Sequence, residues 1–360
     1  MHAATRYLSN YSGDFKSRMT AAVNQSSSGD VISVNVNLNA NSPYTLTKSG
    51  LTLTGNGTIT ANGSKILNLK ASNTTIKNIT FNGGTRTIDV TSNGTLNNIT
   101  FDNVKVKNGP YRGIGFYETN INNITVKNCT FTNKPFSVEI HDCAMATNVT
   151  ITNNTFNSSD HQVSLDCADL GNNLNHSNIR ITNNTFNVTA RHNLALANMK
   201  ASLIKGNVMK GGTAGYTQCV HIEDRTRGAY IKENQMTNWG NGSGSGDAVI
   251  IYTTDRFGHG TGALLTPQQK RAYASGPVSL ENNTIIGAGR HGVLISYLQG
   301  KANFWGNNQT LKGNNKAIFK SNIVNTSQLN IADSTKFKNN RTWGVLKNWS
   351  PSARSGYVNF

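Results

Sequence analysis

Acidic residues are scarce in this chain. Its 360 residues hold 17 Asp+Glu against 34 Lys+Arg, a formal net charge of +17, while charged residues as a whole are only 14%. There are 6 prolines, 4 cysteines, 8% aromatics and a hydrophobic fraction of 36%. No run approaches the ~20 apolar residues of a membrane span, and no membrane association is expected. Cys129, Cys143, Cys167 and Cys219 form no CxxC pair. They therefore read as buried or strand-flanking thiols and not as a zinc or redox site. The positive excess points to an anionic partner. It is spread along the chain with no basic tail, coiled-coil basic region or zinc module, which disfavours nucleic acid. Met1–Ala4 contain no apolar signal-peptide core.

What the chain has in plenty is Asn, Thr, Ser and Gly, with Asn at about one residue in seven. These are poor helix formers, so a helix-rich fold is disfavoured. Short β-branched runs argue equally against a disordered polycation. The runs repeat. Asn78-Ile79-Thr80-Phe81, Asn98-Ile99-Thr100-Phe101, Asn123-Ile124-Thr125-Val126, Asn148-Val149-Thr150-Ile151 and Asn178-Ile179-Arg180-Ile181 recur about every 25 residues. Many are followed by a second element such as Asn153-Asn154-Thr155-Phe156 or Asn183-Asn184-Thr185-Phe186. Weaker copies continue at Leu203-Ile204, Tyr230-Ile231, Ser279-Leu280 and Asn303-Phe304. Two or three short strands per period, alternating Ile/Val/Phe with Thr/Asn/Ser between Asn/Gly turns, predict an all-β fold, a parallel β-helix. Asn at a fixed place in each turn suits a left-handed corner and a stacked hydrogen-bond ladder. That reading is preferred to glycosylation for the many Asn-x-Thr triplets, because they follow the coil period.

A solenoid needs its open ends covered. Gly13–Gln25 has Phe15, Met19 and Val23 at helical spacing and leads into Val31–Val34, so 13–36 is expected to be an N-terminal cap with a capping helix. Residues 254–277 lack strand alternation and are expected to form a long loop. Residues 326–360 lose the repeat and are expected to form a C-terminal cover. The whole is expected to be one monomeric domain.

One strand per coil aligns by its apolar pairs: Ile114 and Phe116, Val138 and Ile140, Val163 and Leu165, Leu194 and Leu196, Val220 and Ile222, Val249 and Ile251, Val293 and Ile295. With these inward, one outward column reads Gly115, Glu139, Ser164, Ala195, His221, Ile250, Leu294. The next reads Tyr117, His141, Asp166, Ala197, Glu223, Tyr252, Ser296. Arg191, Lys200, Arg225, Arg227, Arg256 and Arg290 flank this face, and His161, His192 and His291 precede three of its strands. Five of the 8 histidines thus lie on or beside one strand column. Such a set can bind a carboxylate and move a proton.

The helix, then Ser28-Gly29-Asp30-Val31-Ile32, then Asn-rich coils resembles the right-handed β-helix polysaccharide lyases. The nearest are the alginate lyase and chondroitinase B group (polysaccharide lyase family 6) and the mannuronan C5-epimerases. The likeness of organisation covers nearly the whole chain. It implies a right-handed, single-stranded parallel β-helix. In that lyase family a catalytic Lys precedes a Gly-Asn turn and an Arg follows about one coil later. Here Lys200 precedes Gly206-Asn207, and Arg225 follows the next strand, with Gly228, Ile231 and Asn234 after it. The resemblance makes Lys200 the general base and Arg225 the acid or charge partner. The family's Arg-His-Gly is Arg225-Thr226-Arg227-Gly228 here, one residue out of step. A literal Arg290-His291-Gly292 two rungs later, with Lys270 upstream, is a competing pair. The epimerase sequence Asp-Pro-His-Asp-Arg reads His221-Ile222-Glu223-Asp224-Arg225, with Glu223 in the histidine's place, which weakens an epimerase assignment.

The expected activity is therefore a secreted lyase that cleaves a uronate polysaccharide, alginate first, by β-elimination. Lys200, Arg225, His221 and Tyr252 are the expected catalytic residues. His141, Asp166, Glu223, Asn198, Arg227, Arg256, Arg290 and His291 are expected to bind substrate. No cofactor is expected. Calcium at Asp142, Asp166, Glu223 and Asp224 is considered and not favoured, because these carboxylates fall on several rungs. The alternatives are a C5-epimerase, a glycoside hydrolase using Asp166 and Glu223 about 9.6 Å apart by strand spacing, and a noncatalytic adhesin or phage-type tail protein.

Overall fold

A computed structural model describes residues 3–141, 145–158, 160–165, 176–187, 191–211, 217–223, 225–237, 246–251, 278–287, 291–295, 317–331, 336–338, 340–347 and 357–359. The chain winds as a parallel β-helix, and each coil lays one strand in each of three ladders. Asn120–Lys127 lies in sheet 1, Thr130–Thr132 in sheet 2 and Phe136–His141 in sheet 3. The next coil stacks on it in register, with Val126 beside Ile151, Phe131 beside Phe156 and Val138 beside Val163. Among the described residues sheet 1 has 13 strands. Sheets 2 and 3 are joined at the C-terminal end, where Ile323–Ile331 pairs with both Thr284–Ile286 and His291–Ile295. The core is the stack of inward columns, including parallel-stacked Phe131, Phe156 and Phe186 with centroids 5.0 and 4.7 Å apart.

The Asn repeat builds the corners in two ways. Asn73, Asn98, Asn123, Asn148 and Asn178 hold φ between 52° and 58°, and Asn78, Asn103, Asn128, Asn153 and Asn183 between 52° and 60°. Asn tolerates this left-handed region better than most residues. Their side chains form exposed ladders, such as Asn123 Nδ2 to Asn98 Oδ1 at 2.7 Å. The residue after the second column points inward. Asn154, Asn184, Asn207, Asn234, Asn283 and Asn322 form a buried ladder, each side-chain oxygen from Asn184 on accepting the backbone N–H of the preceding member at 2.9–3.1 Å. The Asn-Asn dipeptides therefore combine an outer corner residue with an inner ladder residue.

The helix Phe15–Asn24 is capped by Asp14, whose side chain accepts the Ser17 N–H at 3.0 Å. It buries Phe15, Met19, Ala22 and Val23, and Phe15 meets Tyr44 edge-on. Past Asn325 the sheets continue through Lys336–Lys338, Asn340–Lys347 and Tyr357–Asn359. The expected C-terminal cover, 326–360, is described only in part, and its described strands extend the same sheets. The 254–277 segment lies outside the described residues. Cys129 and Cys219 are buried free thiols. Burial pushes Cys129 up to about 12 and also raises Cys219, so both are inert as nucleophiles. Cys143 and Cys167 lie outside the described residues. No described helix is long and apolar enough to cross a membrane.

Candidate functional site

The outward columns expected on sheet 3 are paired as the sequence alignment requires. Gly115, Glu139, Ser164, Ala195, His221, Ile250 and Leu294 are successive partners. Tyr117 pairs with His141, and Ala197 with Glu223.

A third column joins this face: Arg86, Arg112, Phe136, then His161, His192, Gln218 and Asp247. Strict alternation would turn these inward, two residues before the core Ile/Val/Leu. The ladder instead skips the second residue of each strand (Thr87, Gly113, Gln162, Asn193, Cys219, Ala248), and the skipped position faces the interior. A Cβ on Gly113 would meet Phe131, whereas one on Gly115 would meet Arg112. Two consecutive inward residues at the strand entry thus deliver the first residue to the outer face.

This face is unusually closed for a solenoid exterior. Asp89, Arg112, Glu139, His192 and His221 are 1–8% exposed. At its N-terminal end Arg112 is ion-paired to Glu139, and Asp89 is paired to Lys65 at 2.6 Å and to Arg86 at 3.7 Å. The Arg86 and Arg112 guanidinium groups lie over the Tyr111 and Tyr117 rings. Tyr117 stacks on His141. A run of rings follows along the axis: Tyr111–Phe136, Phe136–His161, His161–His192 and His192–His221, at 5.3, 4.9, 4.5 and 4.6 Å between centroids.

The run ends at the residues singled out in the sequence. His221 Nε2 is 3.2 Å from Glu223 Oε2, and His221 Nδ1 is 3.3 Å from Gln218 Oε1. Two residues later Arg225 has φ 55°. A left-handed Arg is strained in a way the corner Asn residues are not, and such residues cluster at functional sites. The corner is held by Thr226, whose hydroxyl donates to the Glu223 carbonyl at 2.9 Å. Exposed Arg227 then pairs with exposed Lys200 on adjacent strands of sheet 1. The sheet 3 to sheet 1 corner therefore gathers His221, Glu223, Arg225, Arg227 and Lys200.

His141 lies three strands away, about 14 Å by strand spacing. Asn198 is fully buried with φ 54°, and its carbonyl accepts the His176 N–H. It shapes the corner from inside. Asp166, Tyr252, Arg256, Arg290 and the side chain of His291 lie outside the described residues, as do Asp142, Asp224 and Lys270. Among the described residues no three His, Cys, Asp or Glu converge on one point as metal ligands.

Compared with family models and with curated protein sequences, the chain matches none. Solved structures do match in fold. A mannuronan C-5 epimerase A-module from Azotobacter vinelandii aligns with TM-score 0.59 at 11% identity, over 98% of both chains. A PL6 alginate lyase in complex with a trisaccharide aligns with TM-score 0.59 at 13% identity, over 97% of this chain and 88% of that one. A family 28 exopolygalacturonase from Yersinia enterocolitica aligns with TM-score 0.56 at 11% identity, over 99% and 78%. A surface adhesin of Streptococcus pneumoniae shares the fold as well. The β-helix read from the repeat is thus the fold of alginate lyases and a mannuronan epimerase, and the likeness at these identities is one of fold.

Proposed function

We propose that the protein is a secreted polysaccharide lyase acting on a uronate polymer, alginate first, by β-elimination. The observation that carries this reading is the His221–Glu223 pair set beside a corner of three cations, Lys200, Arg225 and Arg227. The C5 proton of a uronate is removable only when the C6 carboxylate is neutralised, because the developing negative charge spreads onto it. In this reading the three cations take that carboxylate. The His221–Glu223 pair accepts the C5 proton, with Glu223 stabilising the imidazolium that forms. The C5–H electrons become the C4–C5 double bond and the C4–O4 bond breaks, the departing O4 taking a proton from water. Lys200, made the base by family resemblance, stands exposed beside Arg227 and here serves as a carboxylate ligand. A cationic groove also accounts for the +17 charge. The fold neighbours, which include PL6 alginate lyases, support a polysaccharide substrate.

The test is incubation with alginate, polyglucuronate and dermatan sulfate while following the ultraviolet absorbance of unsaturated uronate. A rise with at least one polymer, alginate foremost, is expected. New reducing ends without that rise would replace the reading with a hydrolase, C5 inversion without chain cleavage with an epimerase, and binding alone with an adhesin.

A further inference from the structure

Sheet 1 changes character partway along the helix, and the reaction uses only its edge. In the earlier strands two outward columns are neutral and repetitive. One is Thr75, Thr100, Thr125 and Thr150, and the other Asn97, Asn122, Thr147 and Ser177. The first then continues as Arg180, Leu203 and Tyr230, and the second as Lys200 and Arg227. Beside them Thr152 and Thr182 give way to Lys205 and Lys232. The adjacent strands His176–Thr182, Met199–Lys205 and Arg227–Lys232 thus carry five Lys and Arg residues and no acid. The four strands before them carry only Lys77, Lys127 and Asp102, and Lys127 is paired to Asp102 at 3.3 Å.

The corner beside these cations changes at the same place. Asn73, Asn98, Asn123, Asn148 and Asn178 hold it in the left-handed region, and Asn178 Nδ2 donates to Asn148 Oδ1 at 2.6 Å. The next two coils put Ala201 there at φ 54° and Gly228 at φ 67°. The backbone conformation is kept and the amide side chain is given up. For Ala that is a strained choice, because it has no polar side chain to bond locally in this region. The outcome is a strip clear of long side chains between the Lys200–Arg227 row and the Leu203–Tyr230 row. Tyr230, 52% exposed, stands beside that strip. Beyond it Lys205 and Lys232 lie 3.1 and 3.8 Å from Glu233, in solvent-open pairs that hold weakly. By strand rise the two cation rows are about 16 Å apart.

We propose that this half of sheet 1 binds an anionic polysaccharide strand that runs on from the catalytic corner, with Tyr230 under a sugar ring and the two cation rows on its carboxylates. This rests on the uronate-polymer reading, because Lys200 and Arg227 belong to both the corner and this face. Five cations on one face set the sign of the partner. The Tyr230 ring offers an apolar surface to sugar C–H groups and a hydroxyl at its rim. The sheet holds these groups on one rigid surface, so an extended chain lies down at little ordering cost to the protein. A membrane fits less well. Among the described residues the other exposed large apolar side chains, Tyr7, Met145, Val208 and Ile286, lie off these three strands, so no apolar patch stands with the cations.

The test is binding of alginate, polyglucuronate and dermatan sulfate, measured by affinity electrophoresis and calorimetry in a His221→Gln background that leaves the polymer intact. Tyr230→Ala should weaken binding about tenfold. Lys205→Gln with Lys232→Gln should weaken it by a similar factor and flatten its salt dependence. Lys105→Gln with Lys107→Gln removes the same charge from exposed positions of sheet 2, and should leave binding within about twofold. Ala201→Asn returns an amide beside Asn178. It should raise the melting temperature and weaken polymer binding at least threefold, whereas a purely structural corner would gain stability and bind as before. Unchanged binding in the sheet 1 variants, or equal losses in the sheet 1 and sheet 2 lysine pairs, would overturn the proposal and leave the corner's function standing. If neither wild type nor His221→Gln binds any of the three polymers, the uronate reading and the proposal fall together. Phosphatidylserine vesicles are the second probe. Loss of vesicle binding in the sheet 1 variants with polymer binding kept would give the face to a membrane and overturn the assignment.

Discussion

Sheets 1 and 3 share one backbone plan and one core, yet their outer faces are unlike. On sheet 1 the outward Thr75, Thr100, Thr125 and Thr150 are partly exposed and interchangeable from coil to coil. On sheet 3 the equivalent outward column changes identity at every rung, and its members Asp89, Glu139 and His221 are at most 8% exposed. A solenoid extends by repeating a coil, so repetition marks positions whose only task is stacking. Departure from repetition, combined with burial of charge, marks positions held for another purpose, because a buried charge is costly unless paired.

The sharpest way to break this contrast is to unpair the closed face. Glu139→Gln leaves the Arg112 guanidinium, 2% exposed, without its carboxylate, and should cost about 3–5 kcal/mol in denaturant unfolding. Next comes His221→Gln. General-base loss of 10²–10⁴ predicts a fall of about 10³ in kcat, or roughly 4 kcal/mol of barrier, with the melting temperature unchanged within about 2 °C. An equal loss of stability and activity would make His221 a packing residue.

A buried histidine on sheet 1 provides the third test. His176 is 0% exposed, and its Nδ1 accepts the Ala146 N–H at 3.2 Å. Burial lowers its pKa from 6.5 to about 4. The unfolded chain therefore binds this proton first as pH falls. The stability contribution is intact above about pH 6.5 and declines down to about pH 4, by roughly 3 kcal/mol in all. Unfolding free energies measured across that interval should show the loss, and His176→Gln should remove that component of the slope.

How much of this could be read from the residues follows from the same contrast. The coil period, the inward pairs from Ile114 and Phe116 to Val293, and both outward columns were visible because sheet 3 alternates strictly from its third residue on. The third column was not, because the bend at the strand entry spends two residues inward. His161 and His192 thus appeared only as flanking residues, and Arg112, Gln218 and Asp247 drew no notice. The one-residue surplus between Glu223 and Arg227, compared with Ala197 and Lys200 on the preceding coil, explains why the family motif reads out of step at Arg225. Side-chain pairing across rungs, such as Arg112 with Glu139, depends on register between coils of unequal length and has no local signal.

The smallest effect sets the baseline for the others. Thr125 stands on sheet 1 between Thr100 and Thr150, partly exposed, with neighbours of its own kind. Replacing it with Ala removes one methyl and one hydroxyl contact on each side and leaves no buried polar group unpaired. The loss should stay within about 0.5 kcal/mol, the ordinary range for surface positions, and activity should not change. A loss above about 2 kcal/mol would mean that the Thr column is itself a cooperative ladder. The two faces would then differ in chemistry but not in how much stability each outward residue carries.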